Sequence, residues 1–392
     1  MAYKGTDYYL LDELLTEEQR LIRDTVRDFV DREVIPIIGE YYMKGEFPKH
    51  LVPMMAALGL LAPWLPPEYG GSGIDSVAYG LINMELERGD SAMRSFVSVT
   101  SGLVAYPIYT FGSEEQKRKY LPKLTSGELI GCYGLTEPDA GSDPGSMRTY
   151  AKRDGNEWVL NGAKMWITNA NIADFAVVYA RDIDSGKILG FIVERDMKGV
   201  SFPEIKGKLS LRASATGEIV LDDVRVPEAN RLPGVESLRH PLMCLTQARY
   251  GIAWGAVGAA MACYEEALQY AKERIQFGKP IARYQLIQMY LVEMLNEITK
   301  AQLLVYRLAQ LKDSGKMRYP QVSLAKMNNV RMALDICRRA RSVLGANGIS
   351  IEFNCMRHAA NLEAVYTYEG THEMQTLIVG RDITGIEAFR CD

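Results

Sequence analysis

The stretch VLNGAKMWITN, residues 159–169, decides how the chain divides. Asn161-Gly162 stands between apolar, β-prone runs, with Trp166-Ile167-Thr168 following. Asn-Gly in that setting predicts the turn of a β-hairpin. Around it lie further short strand-like runs at residues 177–180, 190–193 and 218–221, separated by Asp, Ser and Gly turns. Strands at this density without intervening helices predict an antiparallel sandwich or barrel, beginning near Cys132.

Outward from this module, both flanks read as helix. Towards the N-terminus, Thr16-Glu17-Glu18-Gln19 has the form of a capping box. Ile22, Val26, Phe29, Val30 and Val34 then supply the apolar stripe of an amphipathic helix, which Pro36 ends or bends. Residues 51–61, 77–88 and 114–124 are also helix-like, and Pro66-Pro67 with Gly70-Gly71-Ser72-Gly73 reads as a loop. Past Pro241 the helical pattern returns at 246–275, rich in Ala and Gly, then at 285–312 and 322–344. The predicted organisation is a helical region at 1–129, a β-module at 130–238 and a second helical region at 239–392.

A chain of 392 residues is too long for one ordinary core, which agrees with several domains. Its composition, 47% hydrophobic and 24% charged, is that of a globular protein. The net charge of -4 argues against nucleic acid or an anionic membrane as partner. No apolar run approaches the ~18 residues of a membrane span. The start, MAYKGTDYYLLDELL, lacks the apolar core of a signal peptide and is too acidic for a transit peptide. A cytoplasmic location of bacterial type is expected, or the mitochondrial matrix for a mature eukaryotic chain. Cys132, Cys244, Cys263, Cys337, Cys355 and Cys391 form no CxxC, and His is scarce, so neither a disulfide framework nor a metal site is expected. GxGxxG, GxxxxGK[ST], GxSxG and HExxH are all missing, which excludes the commonest nucleotide, hydrolase and zinc-protease solutions.

Four stretches offer chemistry. GLTEPDAGSD, residues 134–143, packs hydroxyls, carboxylates and glycines into ten positions at the entrance to the β-module. WITN, residues 166–169, sets an aromatic beside a hydroxyl, although Trp166 taken alone reads as core. RIQFGKP, residues 274–280, reads equally as a helix end with capping cations. TYEGTHEMQ, residues 367–375, places Glu369 between Tyr368 and Gly370 where a helical pattern breaks.

These motifs, with LGANG at 344–348, occur in an order that resembles the acyl-CoA dehydrogenases over nearly the whole chain. Within that family the likeness is to glutaryl-CoA dehydrogenase, carried by ELER at 85–88, Arg94-Ser95, SLRASATG at 210–217, ARYGIAWG at 248–255 and NLEAV at 361–365. The resemblance implies an α+β fold: an N-terminal helical domain, a middle β-barrel and a C-terminal four-helix bundle. It also implies FAD, an acyl-CoA substrate, a homotetramer and an electron-transfer flavoprotein as acceptor.

The chemistry explains the setting of Glu369. The α-proton of a thioester is weakly acidic and must leave as a hydride passes from the β-carbon to flavin N5. A solvated carboxylate is a poor base for it, whereas one in an apolar site has a raised pKa. Val365, Tyr366 and Tyr368 are placed to supply that site, and Gly370 to let the chain pass close to flavin and substrate. The resemblance adds a backbone N–H of Glu369 polarising the thioester carbonyl.

An arginine among apolar residues, as Arg94 is, commonly snorkels or pairs with an acid. The resemblance instead implies that it binds a distal carboxylate of the acyl chain, shared with Glu87 and Tyr368. Tyr368, where non-decarboxylating relatives have an aliphatic residue, favours crotonyl-CoA and CO₂ as products. Read without the resemblance, Glu87 is a helix-surface ion pair and Tyr368 a core aromatic. The resemblance further assigns Ser95, Ser142, Arg249 and Gly370 to the acyl-CoA side, with a structural ion pair open for Arg249. It assigns Tyr133, Leu135, Thr136, Gly141, Ser142, Trp166, Ile167 and Thr168 to the flavin wall. By the same resemblance Arg274, Phe277 and Gln285 are expected to contact the FAD of a neighbouring subunit, and Leu344, Gly345, Ala346, Thr371 and Glu373 to make other FAD contacts. Met93 departs from the aromatic expected before the arginine, and Phe96, Thr100 and Gly102 also differ. This leaves open a bulkier dicarboxylic thioester such as benzylsuccinyl-CoA, or a reaction without decarboxylation.

Overall fold

The computed structural model describes residues 5–388. Cys391 and the first residues of the start sequence lie outside them. Helices α1 (Glu17–Phe29), α2 (Ile35–Lys44), α3 (Leu51–Ala57), α4 (Ser76–Gly89), α5 (Ser91–Ser98), α6 (Tyr106–Phe111) and α7 (Glu114–Thr125) form the first region. Strands β1 (Gly131–Gly134), β2 (Tyr150–Asp154), β3 (Glu157–Thr168), β4 (Phe175–Asp182), β5 (Ile188–Glu194), β6 (Val200–Ser201) and β7 (Thr216–Pro227) make one curled sheet. Helices α8 (Arg239–Glu273), α9 (Gln285–Asp313), α10 (Tyr319–Leu344), α11 (Asn354–Thr367) and α12 (His372–Thr384) complete the chain. A two-stranded ribbon, β8 (Ile275–Gln276) and β9 (Lys279–Pro280), joins α8 to α9.

The capping box forms as read: the Thr16 hydroxyl accepts from the Gln19 N–H while the Gln19 side chain accepts from the Thr16 N–H. Pro36 bends rather than ends its helix, because a π segment at Val30–Val34 absorbs the change between α1 and α2. The helix read over 51–61 stops at Ala57. Helix α4 is buried on every side from Val77 to Gly89, so the charged Glu85, Glu87 and Arg88 must find partners inside the protein. Helix α5, which carries Arg94, is equally buried and was not among the helices read from the sequence.

The hairpin at Asn161-Gly162 is a correction. Both residues lie inside a twelve-residue strand, β3, held by β2 on one edge and β7 on the other. The register against β7 shifts between Leu160 and Gly162, and the Asn161 side chain bridges the shift to Asp223 through two hydrogen bonds of 2.9 Å. Asn161 faces a bulge at Asp222-Asp223 of β7, and Asn-Gly runs on through the strand rather than turning. The turn is Gly155-Asn156, since Asp154 pairs with Glu157. The sheet is also not wholly antiparallel: β4 pairs antiparallel with β5 but parallel with β1 and β2.

Three apolar clusters fill the structure. One joins α4 to the C-terminal helices through residues such as Trp254, Ile298 and Val330. Another packs the N-terminal helices on the sheet through Val30, Phe96 and Phe191. The third joins α6, α7 and the sheet to the start of α8. Because α4, α5 and α8 belong to these shared cores, side chains from distant parts of the chain meet between them.

Candidate active site

Helix α11 ends at Thr367 and α12 begins at His372, capped by the Thr371 hydroxyl, which accepts from the Met374 N–H. The residues between them cannot continue either helix. Glu369 adopts φ +54, a left-handed conformation that costs a non-glycine residue roughly 1 kcal/mol or more. Gly370 follows at φ +88, where a Cβ would meet Gln375 Nε2 at 2.6 Å and Arg249 Nη2 at 3.0 Å.

Glu369 is half-buried, and its Oε2 is buried with no hydrogen-bond partner among the described residues. Burial raises its pKa from the ordinary carboxylate value against the opposing pull of Lys326, Arg94 and Arg249. No hydrogen bond engages the Glu369 backbone N–H among the described residues. A base atom and a donor are therefore both uncommitted on one residue.

The carbonyls around Glu369 are all engaged. Arg249 Nε donates to the Glu369 carbonyl at 2.7 Å and Gln375 Nε2 at 3.2 Å. Lys326 Nζ donates to the carbonyls of Tyr368 and Gly370, the latter at 2.7 Å. Gln375 Nε2 also reaches the Gly370 carbonyl at 2.8 Å. Burial lowers the Lys326 ammonium to about 7, against the pull of Glu369.

Beside this loop lies a buried charge relay. Arg94 Nε donates to Glu87 Oε2 at 2.6 Å, and its Nη2 donates to the Tyr368 hydroxyl. The other Glu87 oxygen accepts from the Ser91 hydroxyl at 2.7 Å. Glu87 fits only because position 255 of α8 is glycine, where a Cβ would stand 1.9 Å from Glu87 Oε2. Burial opposes the charge on Arg94, but Glu87 and Tyr368 outweigh it and raise its pKa further. Burial and the Glu87 charge push the Tyr368 hydroxyl well above its usual range despite Arg94. Arg94 Nη1 makes no hydrogen bond among the described residues, so one face of a buried cation is left to bind.

The structure thus gathers Glu87, Arg94, Tyr368, Glu369, Gly370 and Arg249, with Ser95 buried next to Arg94. Arg249 gives its Nε to the Glu369 carbonyl and forms no ion pair among the described residues, so the structural ion pair left open for it is not what holds it. The residues expected to line a flavin form a second group. Strand β3 breaks register with β7 between Lys164 and Ile167, and Met165 N–H donates instead to the Thr136 carbonyl at 2.9 Å. The break re-aims Trp166, which sits at φ +62 and is 57% exposed rather than in the core its composition suggested. Leu135 and Ile167 are buried, and the Thr136 and Thr168 hydroxyls have no partner among the described residues. Tyr133 is buried with its hydroxyl on the Pro241 carbonyl at 2.9 Å. An exposed aromatic with two uncommitted hydroxyls on the same segments suits the planar, polar-edged ring of a flavin.

The remaining expected residues stand apart from Glu369. Gly141 and Ser142 lie exposed on the loop after β1. Arg274, Phe277 and Gln285 occupy the ribbon and the start of α9, where Phe277 is 93% exposed, and none bonds to the Glu369 cluster. Leu344 is buried at the end of α10, and Gly345 and Ala346 are exposed just past it. Glu373 is exposed in the first turn of α12. Lys326 and Gln375 were missed from the sequence. The signal was a lone lysine on the buried stripe of α10, between Val322 and Val330, and a glutamine closing the THEMQ motif.

Among the described residues no group of His, Cys, Asp and Glu is arranged to hold a metal, and no helix is long and apolar enough to cross a membrane. The five described cysteines are free and buried.

The model for the acyl-CoA dehydrogenase N-terminal domain matches residues 16–128, the middle domain 132–224 and the C-terminal domain 238–384. A glutaryl-CoA dehydrogenase of Mycobacterium smegmatis is 52% identical, with TM-score 0.96, and 99% of this chain covers 100% of that one. A glutaryl-CoA dehydrogenase from the same organism in complex with FADH2 is 48% identical, with TM-score 0.97 and coverage of 99% and 100%. The glutaryl-CoA dehydrogenase of Desulfococcus multivorans is 36% identical over 386 residues, 96% of this chain and 99% of that protein.

Proposed function

The chain belongs to the acyl-CoA dehydrogenase family of FAD-dependent enzymes, and from that premise we propose that it oxidises and decarboxylates glutaryl-CoA to crotonyl-CoA and CO₂. The observation that carries this reading is the buried Arg94 guanidinium, shared between Glu87 and Tyr368 beside the uncommitted Glu369 carboxylate.

In this account Glu369 Oε2 takes the α-proton. Its raised pKa makes the proton transfer better matched than a solvated carboxylate would. The free Glu369 N–H donates to the thioester oxygen as negative charge develops there, in the manner of an oxyanion hole. FAD, when bound against Trp166, Thr136 and Thr168, supplies the acceptor for the β-hydrogen as hydride. Arg94 holds the distal carboxylate through Nη1, and a charge-assisted contact of that kind is worth ~1.5–3 kcal/mol. An acyl chain without a carboxylate leaves that cation unmatched, which turns the same residue into a filter.

Tyr368 and Glu87 also limit the grip of Arg94. A carboxylate held too tightly is stabilised against loss of CO₂, and these two partners already draw on the guanidinium. Once the α,β-double bond exists, the γ-carboxylate leaves as CO₂, its bonding electrons pass into the dienolate, and protonated Glu369 returns its proton to the γ-carbon. Ser95, Ser142 and Gly370 are assigned to the acyl-CoA. Arg274, Phe277 and Gln285 are assigned to FAD across a homotetramer interface, Leu344 to Ala346 with Thr371 and Glu373 to other parts of FAD, and an electron-transfer flavoprotein to the role of acceptor.

Incubation of the purified flavoprotein with glutaryl-CoA and an artificial one-electron acceptor, read by mass spectrometry, tests the reading. Crotonyl-CoA with CO₂ is expected. Glutaconyl-CoA alone would remove the decarboxylation step, and no product with the flavin still oxidised would remove glutaryl-CoA as substrate.

A further inference from the structure

We propose that Lys326 is a positioning residue that aims the Glu369 N–H at the thioester carbonyl by gripping the peptide on which that N–H lies. The inference rests on the reading of Glu369 as base and oxyanion donor.

The peptide group is planar. The Tyr368 carbonyl and the Glu369 N–H belong to one trans amide, so they point in opposite directions and fixing one fixes the other. Lys326 Nζ donates to that carbonyl and, from the same nitrogen, to the Gly370 carbonyl at 2.7 Å. Glu369 is thus bracketed by carbonyls on either side that converge on a single ammonium. Its own carbonyl is held separately by Arg249 at 2.7 Å and Gln375 at 3.2 Å. Of these donors, Lys326 alone reaches the Tyr368 carbonyl.

The bracket is needed because the backbone here does not hold itself. Glu369 sits at φ +54 between two helices, outside the hydrogen-bond ladder of either. Lys326 is 1% exposed, so its ammonium is committed to these carbonyls rather than to bulk solvent. Without it the Tyr368 carbonyl loses the donor that holds it among the described residues, and the peptide is free to rotate. That rotation carries the Glu369 N–H away from where it points now. Lys326 is held in turn by helix α10, and its ammonium also lies 5.7 Å from the centre of the Tyr368 ring. The residue acts on the backbone and need not touch substrate.

The test uses the holoenzyme and Lys326→Met, with Glu369→Gln as reference. Lys326→Met should keep FAD and a KM within about threefold of wild type, and should lose about a hundredfold in kcat, the effect of one misaligned oxyanion donor. A purely structural role would not move a second readout, the fraction of bound acetoacetyl-CoA present as enolate, followed by its absorbance. That fraction should fall in Lys326→Met. If this variant does not fold with FAD, Lys326→Arg is read the same way, since its wider fork cannot place one nitrogen on both carbonyls. Wild-type kcat and enolate fraction in either folded variant, beside an inactive Glu369→Gln, overturn the proposal. So does a loss of turnover that only tracks lost FAD. Wild-type turnover in Glu369→Gln instead overturns the base reading on which the proposal stands.

Discussion

Helix α4 carries two buried glutamates, and they lead different lives. Glu85 receives Arg27 at 2.7 and 3.1 Å and Arg88 at 2.7 Å, and Arg88 passes on to Asp31 at 2.6 Å. That network runs outward, since the Asp31 side chain is 48% exposed. Glu87 receives Arg94 at 2.6 Å, and Arg94 passes on to Tyr368, 274 positions away, on the loop that holds Glu369. That network runs inward to an uncommitted carboxylate. Both pair a fully buried acid with arginine, so burial and pairing do not distinguish structure from function. What differs is where the chain of contacts ends and whether a donor is left over.

The two networks should therefore fail differently. The largest effect belongs to the end of the inward one: Glu369→Gln should keep its yellow FAD and lose about 10³-fold or more in kcat, measured by flavin reduction in a single turnover. Near-normal reduction would take the base away from Glu369. Next come the paired alanine variants. Glu87→Ala strands the buried Arg94 and should cost about 3–5 kcal/mol in denaturant unfolding, whereas Glu85→Ala leaves Arg88 on Asp31 and the part-exposed Arg27 open to water and should cost less. Only Glu87→Ala should also lower kcat per bound FAD on glutaryl-CoA. Equal kinetic losses in both would erase the contrast.

A smaller change should follow from Tyr368→Phe. Removing the hydroxyl leaves Arg94 Nη2 free to tighten on the substrate carboxylate, so the product mixture should shift from crotonyl-CoA towards glutaconyl-CoA. An unchanged ratio would show that Tyr368 does not moderate the grip. The subtlest effect is in pH. Burial raises the Glu369 pKa, and only the deprotonated form can accept the α-proton. The acid limb of kcat/KM should therefore fall at a pH above the ordinary carboxylate range, with activity present above it and lost below it. A limb within the ordinary range would mean that water reaches the carboxylate.

The order of α, β and α regions was legible in the sequence because hydrophobic periodicity and turn chemistry are local. Local reading failed where tertiary contacts decide. Asn161-Gly162 carries a hairpin signal, but partners on both edges of β3 hold it in the strand, and the neighbouring Asp154-Gly155-Asn156 takes the turn. Trp166 reads as core by composition, and a register break turns it outward. Glu369 and Gly370 stand out in the sequence because a helical pattern breaks there, whereas Arg94 read alone as a snorkelling or paired arginine and gained a role only through the family resemblance. Lys326 and Gln375 act on carbonyls, which carry no sequence signature, and from positions 43 and 6 residues away from Glu369 that only the fold brings close.

The contrast between the two arginine networks rests on one claim, that the spare face of Arg94 reads a carboxylate. The direct test is kcat/KM for glutaryl-CoA against butyryl-CoA in the wild type and in Arg94→Met. The ratio should fall roughly ten- to hundredfold in the variant, mostly through glutaryl-CoA, as loss of one charge-assisted contact requires. A ratio that does not move would contradict the account and leave Arg94 a structural partner of Glu87.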